Sequence, residues 1–472
     1  MLQFLGKLAL WLLKILFDPM TVIHPHRPLH RSRFMNFREK ISLLNRKNRG
    51  VCINGQQQLS LQTSLTHVFV HGGTGSGKTS TVIIPTVLKT AQSCIIVDLD
   101  GSIYRHTAGW KQSQDFSVQV LNLARPQQST QYNPVALCLG DSDRKNLAEI
   151  LVRTAFPGTR GDSLFWNQGA VAILYVLLRF LQTQPRQFHN LANLLHLVNR
   201  FGNLKSIFAE KAPSEVWHDY QAIGHTDERI SQAHLATARV ALDKLNQPNI
   251  AQLTSQHTLD FAALAQPKNL FYLIVPEAKL NHYSFLLSLF FTQLFEWVQT
   301  HRPTEPILFL LDECAHYHIP NLPLLITTLR RYNCSLTLIV QDQKQLVSQY
   351  GEAEAAAIID GGCRSHLYFP GMRIDVAERL ARRIGQRTML ADWSQQYHQW
   401  QQRDLLTASE IIQLPRQKAL FLHHNQPPLL TTMRPYFRSN QWKKRAKLNP
   451  PDFPKSTQTP VELYPISSPM NS

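Results

Sequence analysis

The sequence predicts an α/β fold with a mainly parallel central sheet, interrupted by an all-α insertion. Three observations predict it. A strand-like run, His67–Val70, enters a glycine-rich turn that opens a helix at Lys78–Thr90. A second apolar run, Pro306–Glu313 (PILFLLDE), ends in two acids. Around these, strand signals alternate with helical stretches, except from about residue 133 to 265, where helical periodicity stands almost alone. Strands separated by helical stretches pair in parallel, because the crossover holds the helix.

The turn GGTGSGKT at Gly72–Thr79 fits the phosphate-loop spacing G-x-x-x-x-G-K-[ST]. Glycines let successive N–H groups converge on a polyphosphate, and the following helix N-terminus adds partial positive charge. The candidate ATP-binding set is Gly72, Gly73, Thr74, Gly75, Ser76, Gly77, Lys78, Thr79 and Ser80. Lys78 is expected on the β- and γ-phosphates, and the Thr79 hydroxyl on Mg²⁺. A strand before and a helix after separate this reading from a chance glycine turn. Pro85 falls inside that helix, removes one hydrogen bond and should kink it.

The next strands are expected at Cys94–Asp98 and Ser117–Leu121. Helices follow at Ala170–Leu181, Leu191–Val198 and Ile230–Leu245, the first almost wholly apolar and therefore buried. Strand signals resume at Leu270–Val275, Ile307–Leu311, Ser335–Val340, His366–Phe369 and Ala419–Leu422. Lys78 and Asp312 stand 234 positions apart, more than a compact nucleotide domain needs, which again places an inserted domain between them.

A phosphate loop needs a carboxylate for Mg²⁺ and a group that orients the attacking water before it can hydrolyse ATP. Ligands of open α/β sheets sit at the C-terminal strand ends, where Asp312 and Glu313 emerge. Asp312 is assigned to Mg²⁺ through its water shell and Glu313 to the water; the alternative is two acids capping the next helix. Gln341 directly follows a strand and either senses the γ-phosphate or caps its own loop. Arg330 and Arg331 lie on a helix expected just upstream. Either is a surface residue or, in a ring, an arginine finger for a neighbour.

The 472-residue chain carries 49 Lys and Arg against 32 Asp and Glu, a net charge of +17 that favours nucleic acid or an anionic membrane surface as partner. Its six cysteines include no C-x-x-C pair and read as buried free thiols in a reducing compartment, not as a zinc site. His316 with His318, and His423 with His424, read as loop or core histidines. Residues 1–17 are apolar apart from Gln3, Gly6, Lys7 and Lys14. As a helix they reach about 25 Å, short of the ~30 Å hydrocarbon core, which favours an interfacial helix. The alternative is a helix packed on the protein itself. His24–Arg49 is dense in positive charge, as in a cytoplasmic juxtamembrane stretch or a solvated linker. From about Asn440 the chain is rich in Pro, Ser and Lys and is expected to be disordered.

From about Gly50 to Phe437 the sequence resembles the type IV secretion coupling proteins, the TraG/TraD-like conjugation ATPases. The markers are GGTGSGKTSTVIIPTVL, VDLDGSIYRHTA, YNPVAL with SLFWNQGA, the long run from LLDECAHYHIPNLP to IVQDQKQLVSQYG, IIDGGCRSHLYFPG, and ASEIIQLPRQKALFLHHNQPPLL, in that order. The resemblance implies a RecA-like motor domain with an all-α domain, forming a hexameric ring at the cytoplasmic face of the bacterial inner membrane. It implies ATP-driven work on a DNA–relaxase substrate at a type IV secretion channel. Lys78 and Thr79 match its first nucleotide motif, Asp312 and Glu313 the second, Gln341 the third. Arg330 is the better match to the ring's arginine finger, eleven positions before Gln341. Two departures stand out. Asp100 and Ser102 replace the Lys and Glu of the second marker, and one short apolar segment stands where the family usually has two transmembrane helices. The expected layout is a membrane-associating segment at 1–20, a basic linker at 21–49, the nucleotide domain at 50–134 and 266–437, the all-α domain at 135–265 and a tail at 438–472. The competing readings are a cytosolic FtsK/HerA-like DNA translocase and a nucleotide-gated docking platform with little turnover.

Overall fold

The structure, a computed structural model, describes residues 32–156, 162–225, 227–390, 400–453 and 460–466. Nine strands form one sheet: β1 (Val68–His71), β2 (Ser93–Asp98), β3 (Ser117–Asn122), β4 (Asn269–Ile274), β5 (Ile307–Leu311), β6 (Cys334–Val340), β7 (Ser365–Tyr368), β8 (Lys418–His423) and β9 (Leu429–Thr432). Their spatial order is β9-β8-β7-β1-β6-β5-β2-β4-β3. The pairings from β7 to β3 are all parallel, and only β8 and β9 run antiparallel to their neighbours.

Continuous apolar runs become strands here because both sheet faces are covered. Every residue of β5 and β6 is buried. Alternation sends Phe69, Ile95, Val97, Phe309 and Leu311 to one face, and Val68, Val70, Cys94, Ile96, Leu308 and Leu310 to the other.

Between β3 and β4 the described chain is helical, from Asp141–Ala155 to Phe261–Leu264. The apolar helix Asp162–Gln182 buries Ile173, Leu174, Leu177, Phe180 and Leu181 in a core continuous with one sheet face. It is long and apolar enough to cross a membrane, but here it is the spine of the helical stretch. The segments leading into and out of this helical stretch are stitched together. The Tyr132 amide donates to Leu253 O at 2.9 Å, and Thr258 N to Gln131 O at 3.0 Å.

Pro85 acts one turn earlier than a simple kink. The residues before it, Thr79–Ile83, form a π-helical turn, and the α-helix proper is Ile84–Lys89. Widening the turn ahead of the proline accommodates the missing N–H. The arginine segment is also less regular than expected, an α-helix at Leu322–Thr328 followed by a 3₁₀ turn at Leu329–Tyr332.

The tail expected to be disordered is ordered where it is described. Asn440–Arg445 is a helix, and Ala446 is buried. Farther on, Tyr464 is buried against Phe180 and Phe188, and its amide donates to Asn193 Oδ1 at 2.7 Å. Composition counted the polar residues of the tail and missed its few aromatic anchors, each worth up to a few kcal/mol of burial. The segment 1–17, the start of the basic stretch and the loop at 157–161 lie outside the described residues.

All six cysteines are buried free thiols. His318 is half-buried, and that desolvation pushes its imidazole down to about 4. Among the described residues no His, Cys, Asp or Glu cluster could hold a metal on its own.

Candidate nucleotide site

The turn after β1 is shaped by what a side chain would strike. A Cβ on Gly72 would come within 2.8 Å of both the Phe369 Cβ and the Ser76 Oγ. Gly77 holds φ +92, which a side chain resists. The loop is fixed to the neighbouring strand end by Gly72 N donating to Val340 O at 3.2 Å.

β5 is two strands from β1, with β6 between, so the two distant motifs meet at one sheet edge. The Thr79 hydroxyl donates to Asp312 Oδ2 at 3.2 Å, and Lys78 Nζ lies 3.3 Å from Glu313 Oε1. Lys78 also donates to Gly72 O at 2.6 Å and Gly73 O at 3.2 Å. Lys78 and Glu313 are almost fully buried, so this pair is shielded from solvent screening.

Glu313 has a left-handed backbone, φ 45 and ψ 47. A non-glycine residue held there is strained, and the strain turns the second acid toward Lys78 instead of along the strand. Asp312 is not a helix cap. Burial, then the neighbouring Glu313 carboxylate, pushes its carboxyl up to about 7, against the pull of Lys78. Asp312 Oδ1, Glu313 Oε2 and Ser76 Oγ are buried without a hydrogen-bond partner. A Mg²⁺-polyphosphate fits that deficit, because it offers a cation to the carboxylates and acceptors to the hydroxyl.

Thr74 Oγ1 donates to Gln341 Oε1 at 2.7 Å, so the strand-end amide of β6 reaches the phosphate loop itself. Gly73, Gly75 and Ser80 lie in the same turn, and Ser80 Oγ donates to Gly77 O at 3.1 Å. Arg330 does not join them. It is exposed and precedes β6, at the opposite sheet edge from Gln341, on the order of 20 Å along the strand. From there it cannot reach the site of its own chain.

The geometry adds Asp98. It is fully buried at the end of β2, beside β5, and burial pushes its carboxyl up to about 6. Its Oδ2 accepts from Tyr104 N at 2.8 Å, while Oδ1 has no partner. The signal was an acid ending a strand-like run, the same signal that singled out Asp312. The substituted positions of this marker do local work. Asp100 Oδ1 accepts from Ser102 N at 2.9 Å, starting the helix Ser102–Gln112, and Arg105 donates to Asp100 O at 2.9 Å.

Comparison with known proteins fits this geometry. The family model described as type IV secretory system conjugative DNA transfer matches residues 31–460. The conjugal transfer protein TraG of Escherichia coli is 25% identical over 415 residues, covering 75% of this chain and 62% of that protein. The type IV secretion system-coupling protein VirD4 of Bartonella quintana (strain Toulouse) is 24% identical, covering 83% of this chain and 66% of that one. The chain thus spans somewhat under two thirds of the length of these relatives. The plasmid coupling protein TrwB, solved with the non-hydrolysable ATP analogue ADPNP, aligns with a TM-score of 0.68 at 16% identity, over 93% of this chain and 97% of that one. Its complex with ADP and Mg²⁺ gives 0.66 at 16% identity, over 93% and 98%. These likenesses establish a RecA-like P-loop fold. With nine tenths of its length matched by one family model, the chain belongs to the type IV secretory system conjugative DNA transfer family.

Proposed function

We propose that this chain is an ATP-hydrolysing coupling protein, which links a DNA–relaxase substrate to a type IV secretion channel. The observation that carries this reading is the convergence of Lys78 and Thr79 with Asp312 and Glu313 from 234 positions away. Names of the relatives support the setting, conjugation and secretion. The nucleotide domain, 50–134 with 266–437, is the motor, and the all-α domain at 135–265 is the part that meets the substrate. The protein works as a homo-hexamer at the cytoplasmic face of the bacterial inner membrane.

In this mechanism the phosphate-loop amides and Lys78 hold the triphosphate. Thr79 and Asp312 hold Mg²⁺, which draws charge from the phosphate oxygens. Lys78 exchanges the Gly72 and Gly73 carbonyls for phosphate oxygens, which frees Glu313 from its ion pair. Glu313 then orients the water whose oxygen bonds to the γ-phosphorus and takes up its proton, as the bond to the leaving ADP oxygen breaks. Gln341, bonded to Thr74, relays loop position to β6. Arg330 acts in the site of the adjoining subunit, where its place on the far sheet edge becomes useful. The exposed Lys and Arg of the ring contact DNA phosphates without reading sequence.

The test is ATP turnover by the full chain with and without single- and double-stranded DNA. DNA should stimulate the parent chain, and Lys78→Ala should lower turnover by about a thousandfold or more. Equal DNA-stimulated turnover in the two chains would sink the proposal.

A further inference from the structure

Away from the nucleotide site, a cavity of about 670 Å³ opens at the other end of the sheet. It is framed by Thr90 and Ala91, just before β2, by Phe116, just before β3, and by Lys268, just before β4. These are N-terminal strand ends, so the cavity and the candidate nucleotide site lie at opposite edges. Seven of the lining side chains are Lys or Arg, and none is Asp or Glu.

The charges are built in, not scattered. Lys111 is 2% exposed, donates to Thr90 O, and sits 4.0 Å from the centre of the Phe116 ring. Lys89 donates to Gly55 O at 2.8 Å and Gln56 O at 3.0 Å. With Cys52 Sγ at 3.9 Å the three donors of Lys89 are all placed, whereas Thr90 O accounts for only one of the three on Lys111. Arg445 lies over Trp110 at 4.1 Å and over Trp442 at 4.6 Å. The two rings hold its guanidinium fork in place without neutralising it. Arg49 and Lys268 are exposed at the rim.

We propose that this cavity binds a compact phosphate-bearing anion, with Arg445, Lys111 and Lys268 as its principal contacts. Three features point to a phosphate group. The site offers donors and positive charge with no competing carboxylate. Arg445 supplies a planar fork held in place. Its volume suits a headgroup-sized ligand. Nucleic acid fits less well. Stacking of bases needs free aromatic faces, and cations already cover Trp110, Trp442 and Phe116. The anion is either the headgroup of an anionic phospholipid or a free phosphate compound. The proposal does not depend on the nucleotide site.

The experiment pairs two variants of equal charge. Lys268→Gln with Arg445→Gln removes two charges from the cavity; Lys443→Gln with Lys444→Gln removes two exposed charges beside it. Full chains that melt like the parent, each also carrying Lys78→Ala so that the phosphate loop does not report pyrophosphate, are titrated with phosphatidylcholine vesicles with and without phosphatidylglycerol, with pyrophosphate alone, and with a short DNA duplex. The cavity variant should lose about tenfold in phosphatidylglycerol-dependent or pyrophosphate affinity, and the control variant little. Loss confined to vesicles assigns a lipid headgroup; loss with pyrophosphate alone assigns a free phosphate. Equal losses in both variants, no loss in either, or a cavity-specific loss of DNA binding alone would overturn the site.

Discussion

The two edges of the central sheet carry opposite charge, and each buries part of it. At the C-terminal strand ends, Asp312 and Glu313 face the ammonium of Lys78, and Asp98 is buried at the end of the neighbouring strand. At the N-terminal ends, seven cations surround a cavity with no acid. Burial works against ionisation at both, so it acts in opposite directions. It lifts the Asp312 carboxyl to about 7 and lowers the Lys111 ammonium to about 8. A fold that only needed stability would place neutral groups here, since buried charges are weak stabilisers. Retaining them makes sense if a cation complex is expected at one edge and an anion at the other.

The largest effect should come from the acidic edge. Glu313→Gln keeps the size and removes the charge that pairs with Lys78. Nucleotide binding should persist while turnover falls about a thousandfold, since a positioned base or water-orienting group is worth roughly that much. Turnover within a factor of a few of the parent would break the comparison at its functional end, leaving the carboxylate as mere charge balance.

The second test concerns stability and pH. A folded-state carboxyl at about 7 against the ordinary 3.8 means the folded chain holds a proton that the unfolded chain has released. Between those values stability therefore falls as pH rises, by at most about 4 kcal/mol from this group. Glu313 and Asp98 push in the same direction, and Lys78 and the Thr79 hydroxyl oppose them. Asp312→Asn is neutral throughout. Denaturant melts without nucleotide should show the variant equal to the parent near pH 4 and more stable above pH 7. A constant difference across that range would mean that Asp312 ionises normally. Asp98, also raised, remains in both chains and drops out of the difference.

Much of this arrangement was legible in the residues. Each strand expected from an apolar run is present within a residue or so, because a strand covered on both faces must be apolar throughout. The run Ile307–Leu311 is unchanged from expectation. Lys78 and Asp312 could be joined on paper because ligands collect at C-terminal strand ends, a rule that needs topology but not coordinates. Three things were not legible. The π-turn before Pro85 is a choice among ways to absorb one missing donor. The burial of Tyr464 depends on a pocket between Phe180 and Phe188, which its own neighbours do not announce. The basic cavity draws Arg49, Lys111, Lys268 and Arg445 from four separate stretches. Only the fold makes neighbours of them, and along the chain each reads as an ordinary surface charge.

The smallest of these effects should come from the basic edge, and its sign is opposite. Lys111 is lowered from 10.5 to about 8, by burial first, with nearby Lys268 adding to it and Cys94 opposing. Between those values the unfolded chain holds the proton and the folded chain has lost it. Stability from this group therefore rises with pH across the window, by at most about 3 kcal/mol. Lys111→Met keeps the apolar stem against Phe116 but removes the ammonium and its bond to Thr90 O. The lost hydrogen bond costs about 1–3 kcal/mol at every pH, so it shifts the curve without bending it. The bend is the informative part. Relative to the variant, the parent should gain stability as pH rises from about 8 towards 10.5. Other lysines and tyrosines titrate there too, but equally in both chains. Parallel curves would mean that Lys111 keeps an ordinary ammonium, well solvated within the cavity. The two edges would then differ in sign alone, with only the acidic one strained by burial.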